Sequence, residues 1–268
     1  VDTSKSVLSR DDLDVFHRDG YVRVKEAFPR EVALAMQDEV WDELCEECGI
    51  DRSNCDTWRV PPKSPKRVKH SPLNQDVVSP RFRGAIDELL GAGNWAEPSN
   101  WGSFLITFPT SRDEPWDIPT TSWHWDDELT ETDALTGLQI FTFFSQVLPR
   151  GGGTLIARGS HHVLRSYYDS LSAEQRNTGH AKQRRHFFGW HPWIAELTGG
   201  KQGPIGDREA RFMKRATKVA GHPVQVVELT GEPGDAVFCH PLILHAPAAH
   251  NHSDWPRFMR GKGLFNHP

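Results

Sequence analysis

Trp101-Gly102-Ser103-Phe104-Leu105-Ile106-Thr107-Phe108 is the stretch at which the chain changes period. Gly102, Phe104, Ile106 and Phe108 alternate with Ser103, Leu105 and Thr107, and side chains alternating in this way leave a strand on opposite faces. Downstream, the same reading predicts strands over 121–126, 138–147, 154–157, 224–229, 235–239, 242–245 and 257–265. Helices do not alternate with these segments, so a parallel α/β sheet fits poorly. About eight strands instead predict a mainly β fold, two sheets packed face to face as in the double-stranded β-helix, the cupin-like jelly roll.

Upstream of Trp101 the period is helical. Ser9 caps a helix through Leu13 and Phe16 that ends at Gly20, and a short strand covers 21–25. Pro29 opens a helix whose Ala33, Met36, Val40, Trp41, Leu44 and Cys48 share one face as far as Gly49. A further helix covers 82–90, and residues 50–80, rich in Pro, Ser, Asn and Lys, read as a loop. One domain over 1–268 is expected, with 1–100 as a helical buttress and 101–268 as the jelly roll. Residues 163–220 interrupt the strands with a long, partly helical insertion carrying Tyr167, Tyr168, Phe187, Phe188, Trp190, His191 and Trp193, suited to a lid.

Composition excludes several functions. The formal charge of -5 and pI near 6.3 exert no global pull toward nucleic acid or anionic lipid, and the basic groups Lys63, Lys66, Arg67, Lys69 and Lys182, Arg184, Arg185 read as solvated faces. No run approaches the roughly 20 apolar residues of a membrane span, and no secretory pattern opens the chain, so a soluble cytoplasmic protein is expected. Four cysteines in 268 residues do not suggest a disulfide framework. Cys45, Cys48 and Cys55 lack a nearby fourth ligand for zinc.

Two separated segments carry chemistry. Ser122-Trp123-His124-Trp125-Asp126 sets an imidazole and a carboxylate two residues apart, on one face of a strand, where they can chelate; alone, such a pair is commonplace. Gly234-Asp235-Ala236-Val237-Phe238-Cys239-His240-Pro241-Leu242-Ile243-Leu244-His245 is a turn feeding an apolar strand, and both His240 and His245 close short apolar runs. Two neutral imidazoles and a carboxylate can occupy one face of an octahedral Fe(II), leaving three positions for a bidentate 2-oxo acid and dioxygen. Arg257, on the next strand, has the rigid fork that matches the distal carboxylate of 2-oxoglutarate.

With these residues in order, the chain resembles the phytanoyl-CoA dioxygenase family of Fe(II)/2-oxoglutarate oxygenases. Phe16, Asp19-Gly20-Tyr21 and Val22-Arg23-Val24 look like its opening helix and strand. Gly151-Gly152-Gly153-Thr154 followed by Gly159-Ser160-His161 looks like its turn before a proline-glycine-serine-histidine element, with Arg158 where proline is usual. Gly234-Asp235, Phe238, His240-Pro241, His245, Asn251, Ser253 and Pro256-Arg257 look like its C-terminal signature.

The resemblance places the metal ligands on His124, Asp126 and His245, favouring His245 over His240, and the 2-oxoglutarate arginine on Arg257. Two positions after the distal histidine the family often has a small hydroxyl residue; here it is Pro247. Thr107, Gln139 and Thr154 are candidates to replace that contact, and Thr107 is taken as the replacement. His161, His250 and His252 then read as loop or packing residues, and Trp123 and Trp125 as packing behind the ligand strand. Asp126 separates the chain from halogenating relatives, which lack the carboxylate. The implied reaction consumes O2 and 2-oxoglutarate, releases succinate and carbon dioxide, and hydroxylates a small molecule, unless the substrate diverts to desaturation or ring closure.

Two other readings compete: a zinc hydrolase using the same triad, and a jelly-roll module whose aromatics hold a ligand such as a sugar. Arg257 in register with the triad argues against both. The substrate is expected to be a natural-product or amino-acid-like metabolite rather than a coenzyme A thioester. Asp113, Glu114, Asp127 and Glu128 would favour a cationic group and Arg165, Arg184 and Arg185 an anionic one; both sets cannot line one pocket.

Overall fold

The computed structural model describes residues 6–59, 64–200 and 208–265; Lys63 lies outside them. Helix α1 (Arg10–Asp19) starts at a capping box in which Ser9 Oγ accepts the Asp12 N–H and Asp12 accepts the Ser9 N–H, and Gly20 ends it at φ +80°. Strand β1 (Tyr21–Val24) leads to α2 (Arg30–Cys48), which buries Ala33, Met36, Val40, Trp41 and Leu44 and stops at left-handed Gly49. The segment expected to be a loop is more ordered than its composition suggests. It forms single 3-10 turns at Cys55–Arg59 and Arg67–His70 and the short α3 (Asn74–Val77). Buried Glu43 of α2 accepts the N–H groups of Arg67 (3.0 Å) and Val68 (3.1 Å) and so ties this segment down. Helix α4 (Pro80–Leu90) begins at Ser79, whose Oγ accepts the Phe82 N–H.

The strands follow as β2 (Ser103–Thr107), β3 (Gly137–Phe143) and β4 (Leu155–Arg158). Five inserted helices come next: α5 (Ser160–Asp169), α6 (Ala173–Arg176), α7 (His180–Trp190), α8 (Pro192–Leu197) and α9 (Arg208–Phe212). The chain closes with β5 (Thr217–Val219), β6 (His222–Glu228), β7 (Ala236–Cys239), β8 (Leu244–Ala246) and β9 (Arg257–Phe265). Two antiparallel sheets result, ordered β1-β7-β3-β9-β2 and β5-β6-β4-β8.

Strand alternation distributes side chains into layers. On β3, Leu138 and Ile140 join the core beneath α1, α2 and α4, whereas Phe141 and Phe143 meet Val237, Met259, Ile156 and Ile243 between the sheets. Beyond the smaller sheet, Leu155, Ala157, Leu244 and Ala246 pack with Val163, Tyr167, Phe187, Trp193 and Leu197 of the insertion. The order is therefore helices, sheet, sheet, helices, with the space between the sheets left for chemistry.

Two strand expectations change. Residues 121–126 form no strand; His124 makes one isolated bridge to His245. Ser122 at φ +66° turns the chain away from a ladder. Strand β5, too short to show a period, was not expected. Gly102 stands before β2 rather than within it, at φ +94°.

Candidate metal centre and co-substrate pocket

His245 is held on β8, and His124 is brought to it by paired backbone bonds, His124 N–H to His245 O at 2.9 Å and the reverse at 2.8 Å. The two rings lie 4.1 Å apart between centroids. Two residues further on, Asp126 sets Oδ1 3.5 Å from His124 Nε2 and Oδ2 3.5 Å from His245 Nε2. One donor atom from each residue falls within a 4.8 Å spread, the one such cluster among the described residues. His240 is not in it. Its ring packs against His161 at 4.8 Å and its Nδ1 accepts the Leu242 N–H at 3.1 Å.

The ring nitrogens are assigned by their partners. His124 Nδ1–H donates to Ser122 O (2.8 Å) and His245 Nδ1–H to Ile243 O (3.1 Å), which leaves both Nε2 atoms unprotonated and facing Asp126. Burial, reinforced by His124, holds the His245 pKa below the ordinary histidine value, so its imidazole is neutral near pH 7. Two neutral nitrogens and a carboxylate converging on one point fit a divalent iron with an open face. Trp123 and Trp125 point the other way, into the core shared with the insertion, in their expected packing role.

Arg257 opens β9 on the same interior. It is 3 % exposed, pairs across the ladder with Thr107, and donates from Nη2 to Thr107 Oγ1 at 2.5 Å. Burial lowers its pKa to about 10, partly opposed by Glu228, so the guanidinium stays charged. Its Nε is buried with no partner among the described residues. An orphaned buried donor of this kind is what a pocket for an acid requires. Thr154 Oγ1 and Gln139 Oε1 are also buried and unpartnered among the described residues, but Gln139 pairs with Gly263, six residues along β9 from Arg257. Pro247 is exposed and takes no part in this pocket.

Glu228 was not singled out from the sequence. It accepts the N–H groups of Arg150 (2.6 Å) and Gly153 (2.9 Å), bracing the glycine turn and setting its charge toward Arg257. Nothing local marks a strand-end glutamate for this; only the turn it braces was conspicuous. Much of the C-terminal signature is likewise bracing. Buried Asn251 donates to Thr107 O and Trp255 O (both 2.9 Å) and accepts from Ser253 N–H (2.9 Å), which aligns β2 with the approach to β9. Ser160 Oγ accepts the Leu244 N–H at 2.8 Å, one residue before His245.

The charged residues near the triad separate. Asp127 is buried, accepting from Thr136 Oγ1 (2.6 Å) and the Glu128 N–H (2.8 Å), and Glu114 lies 3.5 Å from His250 Nδ1. Arg165 is spent on Asp133, Asp169 and the carbonyls of Thr130 and Thr132. Arg185 is exposed. Arg184 instead reaches over the ligand segment, donating from Nη2 to Trp125 O at 3.2 Å, and its charge acts on His245.

Residues 16–259 match the family model for phytanoyl-CoA dioxygenase. Comparison with curated protein sequences finds no match. Among solved structures, the chain is similar to the non-haem alpha-ketoglutarate-dependent carbocyclase SnoK of nogalamycin biosynthesis, with 18 % identity and a TM-score of 0.56 over 98 % of this chain and 86 % of that one. EctD from S. alaskensis with bound Fe gives 15 % and 0.53 over 98 % and 78 %, and HygX from Streptomyces hygroscopicus, with nickel and 2-oxoglutarate bound, gives 13 % and 0.52 over 96 % and 87 %. At these identities the structural likeness speaks for the fold, while the family model spans nearly the whole chain. The chain belongs to the phytanoyl-CoA dioxygenase family of non-haem iron, 2-oxoglutarate-dependent oxygenases.

Proposed function

We propose that His124, Asp126 and His245 are the iron ligands, that Arg257 with Thr107 holds the distal carboxylate of 2-oxoglutarate, and that the enzyme hydroxylates an unactivated C–H bond of a small molecule. The two facing sheets are read as a double-stranded β-helix. The observation that carries the proposal is the pairing of a converging His, Asp, His set with an arginine buried in the same interior and missing part of its hydrogen bonding.

Iron, when bound, supplies the activation of dioxygen and the oxidising power. The chain supplies the rest. Carbonyls of Ser122 and Ile243 fix the ring orientations, and Asp126 would offset the charge of the metal. Arg257 and Thr107 orient the co-substrate in a low-dielectric interior where a bidentate pairing is strongest. Phe141, whose ring lies 5.6 Å from that of His245, and its neighbours exclude water behind the site.

Succinate formation should require iron(II), dioxygen and 2-oxoglutarate, and should fall to background in His124→Ala and in Asp126→Ala. Turnover retained by both variants would remove the triad from the reaction. Tightly bound zinc with no consumption of 2-oxoglutarate would favour a hydrolase.

A further inference from the structure

The inserted helix α7 presents His180 and Arg184 one turn apart, on one face, beside the ligand segment. Both use Trp125 as a platform: the Arg184 guanidinium lies 5.6 Å from the Trp125 ring centre, and the His180 ring meets it edge-on at 5.1 Å. Trp125 sits between the ligands His124 and Asp126, so this platform is anchored to the metal centre itself.

The hydrogen bonding of this pair is largely unspent. Arg184 makes one hydrogen bond, to Trp125 O; its Nε is buried with no partner among the described residues, and so is His180 Nε2. Leaving such groups unpaired is costly unless a ligand completes them. The other candidate cation, Arg165, is fully paired; of the carboxylates that act on His180, Asp127 is buried and hydrogen-bonded and Asp126 belongs to the triad, which leaves Glu128 as the one acidic neighbour an anion would meet.

Building on the iron and 2-oxoglutarate reading above, we propose that His180 and Arg184 form the recognition subsite for an anionic group of the primary substrate, a carboxylate or a phosphate. The guanidinium fork binds the anion, and the Trp125 face holds the fork flat. The anion then lies at the rim of the metal centre, and the part of the substrate to be oxidised extends from it toward the open coordination face. A neutral or cationic substrate would leave these donors buried and unmet.

The probes are acetate, inorganic phosphate and neutral acetamide, added to oxygen-free protein loaded with iron(II) and saturating 2-oxoglutarate. Binding is read as paramagnetic relaxation of the probe nuclei. Acetate or phosphate should show saturable relaxation, acetamide none, and whichever anion binds the tighter names the group. Arg184→Gln should weaken the anion roughly tenfold to a hundredfold, Arg184→Lys less, and Arg185→Gln, an equal loss of charge at an exposed neighbour, not at all. No saturable anion relaxation in the wild type, or equal relaxation in Arg184→Gln and Arg185→Gln, overturns the subsite. A larger effect of Arg184→Gln on the 2-oxoglutarate requirement than on the probes also overturns it, by assigning Arg184 to the co-substrate. Succinate formation by the same wild-type preparation separates the two levels: its absence defeats the oxygenase reading, and its presence without anion binding defeats only the subsite.

Discussion

Arg257 shows how much one residue depends on its surroundings. A fully buried guanidinium is unfavourable unless its donors are met, and here one meets Thr107 while Nε waits for a ligand. Arg257→Ala should therefore raise the 2-oxoglutarate concentration needed for half-maximal succinate formation by about two orders of magnitude, the usual cost of truncating one partner of a buried charge pair. Thr107→Val, which keeps the shape and loses the hydroxyl, should raise it by about tenfold. An unchanged requirement in Arg257→Ala would remove it from the pocket. Thr107 was one of three hydroxyl or amide candidates in the sequence. It was the one preferred there, and the ladder places it directly opposite Arg257.

Among elements, β2 and β9 set the pocket, and Gly102 sets their approach. At φ +94° it adopts a backbone conformation that side chains disfavour, and a Cβ there would sit 2.1 Å from the Gly261 carbonyl oxygen of β9. Gly102→Ala should lower the unfolding free energy by more than about 2 kcal/mol, measured by denaturant titration, because strain and a backbone clash act together. A change below about 0.5 kcal/mol would show that the strands part without cost. The alternation over 101–108 identified the strand correctly but took this glycine as part of it. Alternation reports faces; it does not report the sign of φ.

At the scale of the molecule, the junction of α1, α5 and the turn before β8 gathers a buried His161 and a largely enclosed His240. Burial first, then neighbouring imidazoles, hold His161 at about 4 and His240 at about 3. In the unfolded chain each titrates near 6.5, so between that pH and about 4 the unfolded state binds protons that the folded state refuses. Stability is full above about pH 6.5 and is lost as pH falls, on the order of 1 kcal/mol per group per pH unit. The melting temperature of the metal-free protein should drop clearly between pH 7 and pH 5, and less so in His240→Gln. A melting temperature flat across that range would contradict the burial of these rings.

Caps, periods and the chelating spacing of His124 and Asp126 are local properties, and the sequence alone determined them. Ser9, Gly20 and Gly49 bound their helices because capping involves groups a few residues apart, and His124 with Asp126 was visible because two residues separate them. Which distant groups meet was decided by tertiary structure. His240 and His245 end similar apolar runs, yet of the two His245 pairs with His124 and converges with it and Asp126, while His240 turns into the imidazole cluster. Arg165 and Arg184 are equally charged, yet one is spent on carboxylates and the other keeps its Nε unpartnered among the described residues, beside Trp125. Register between segments more than a hundred residues apart, and the burial that follows from it, chooses among chemically equivalent groups, and no local pattern encodes that choice.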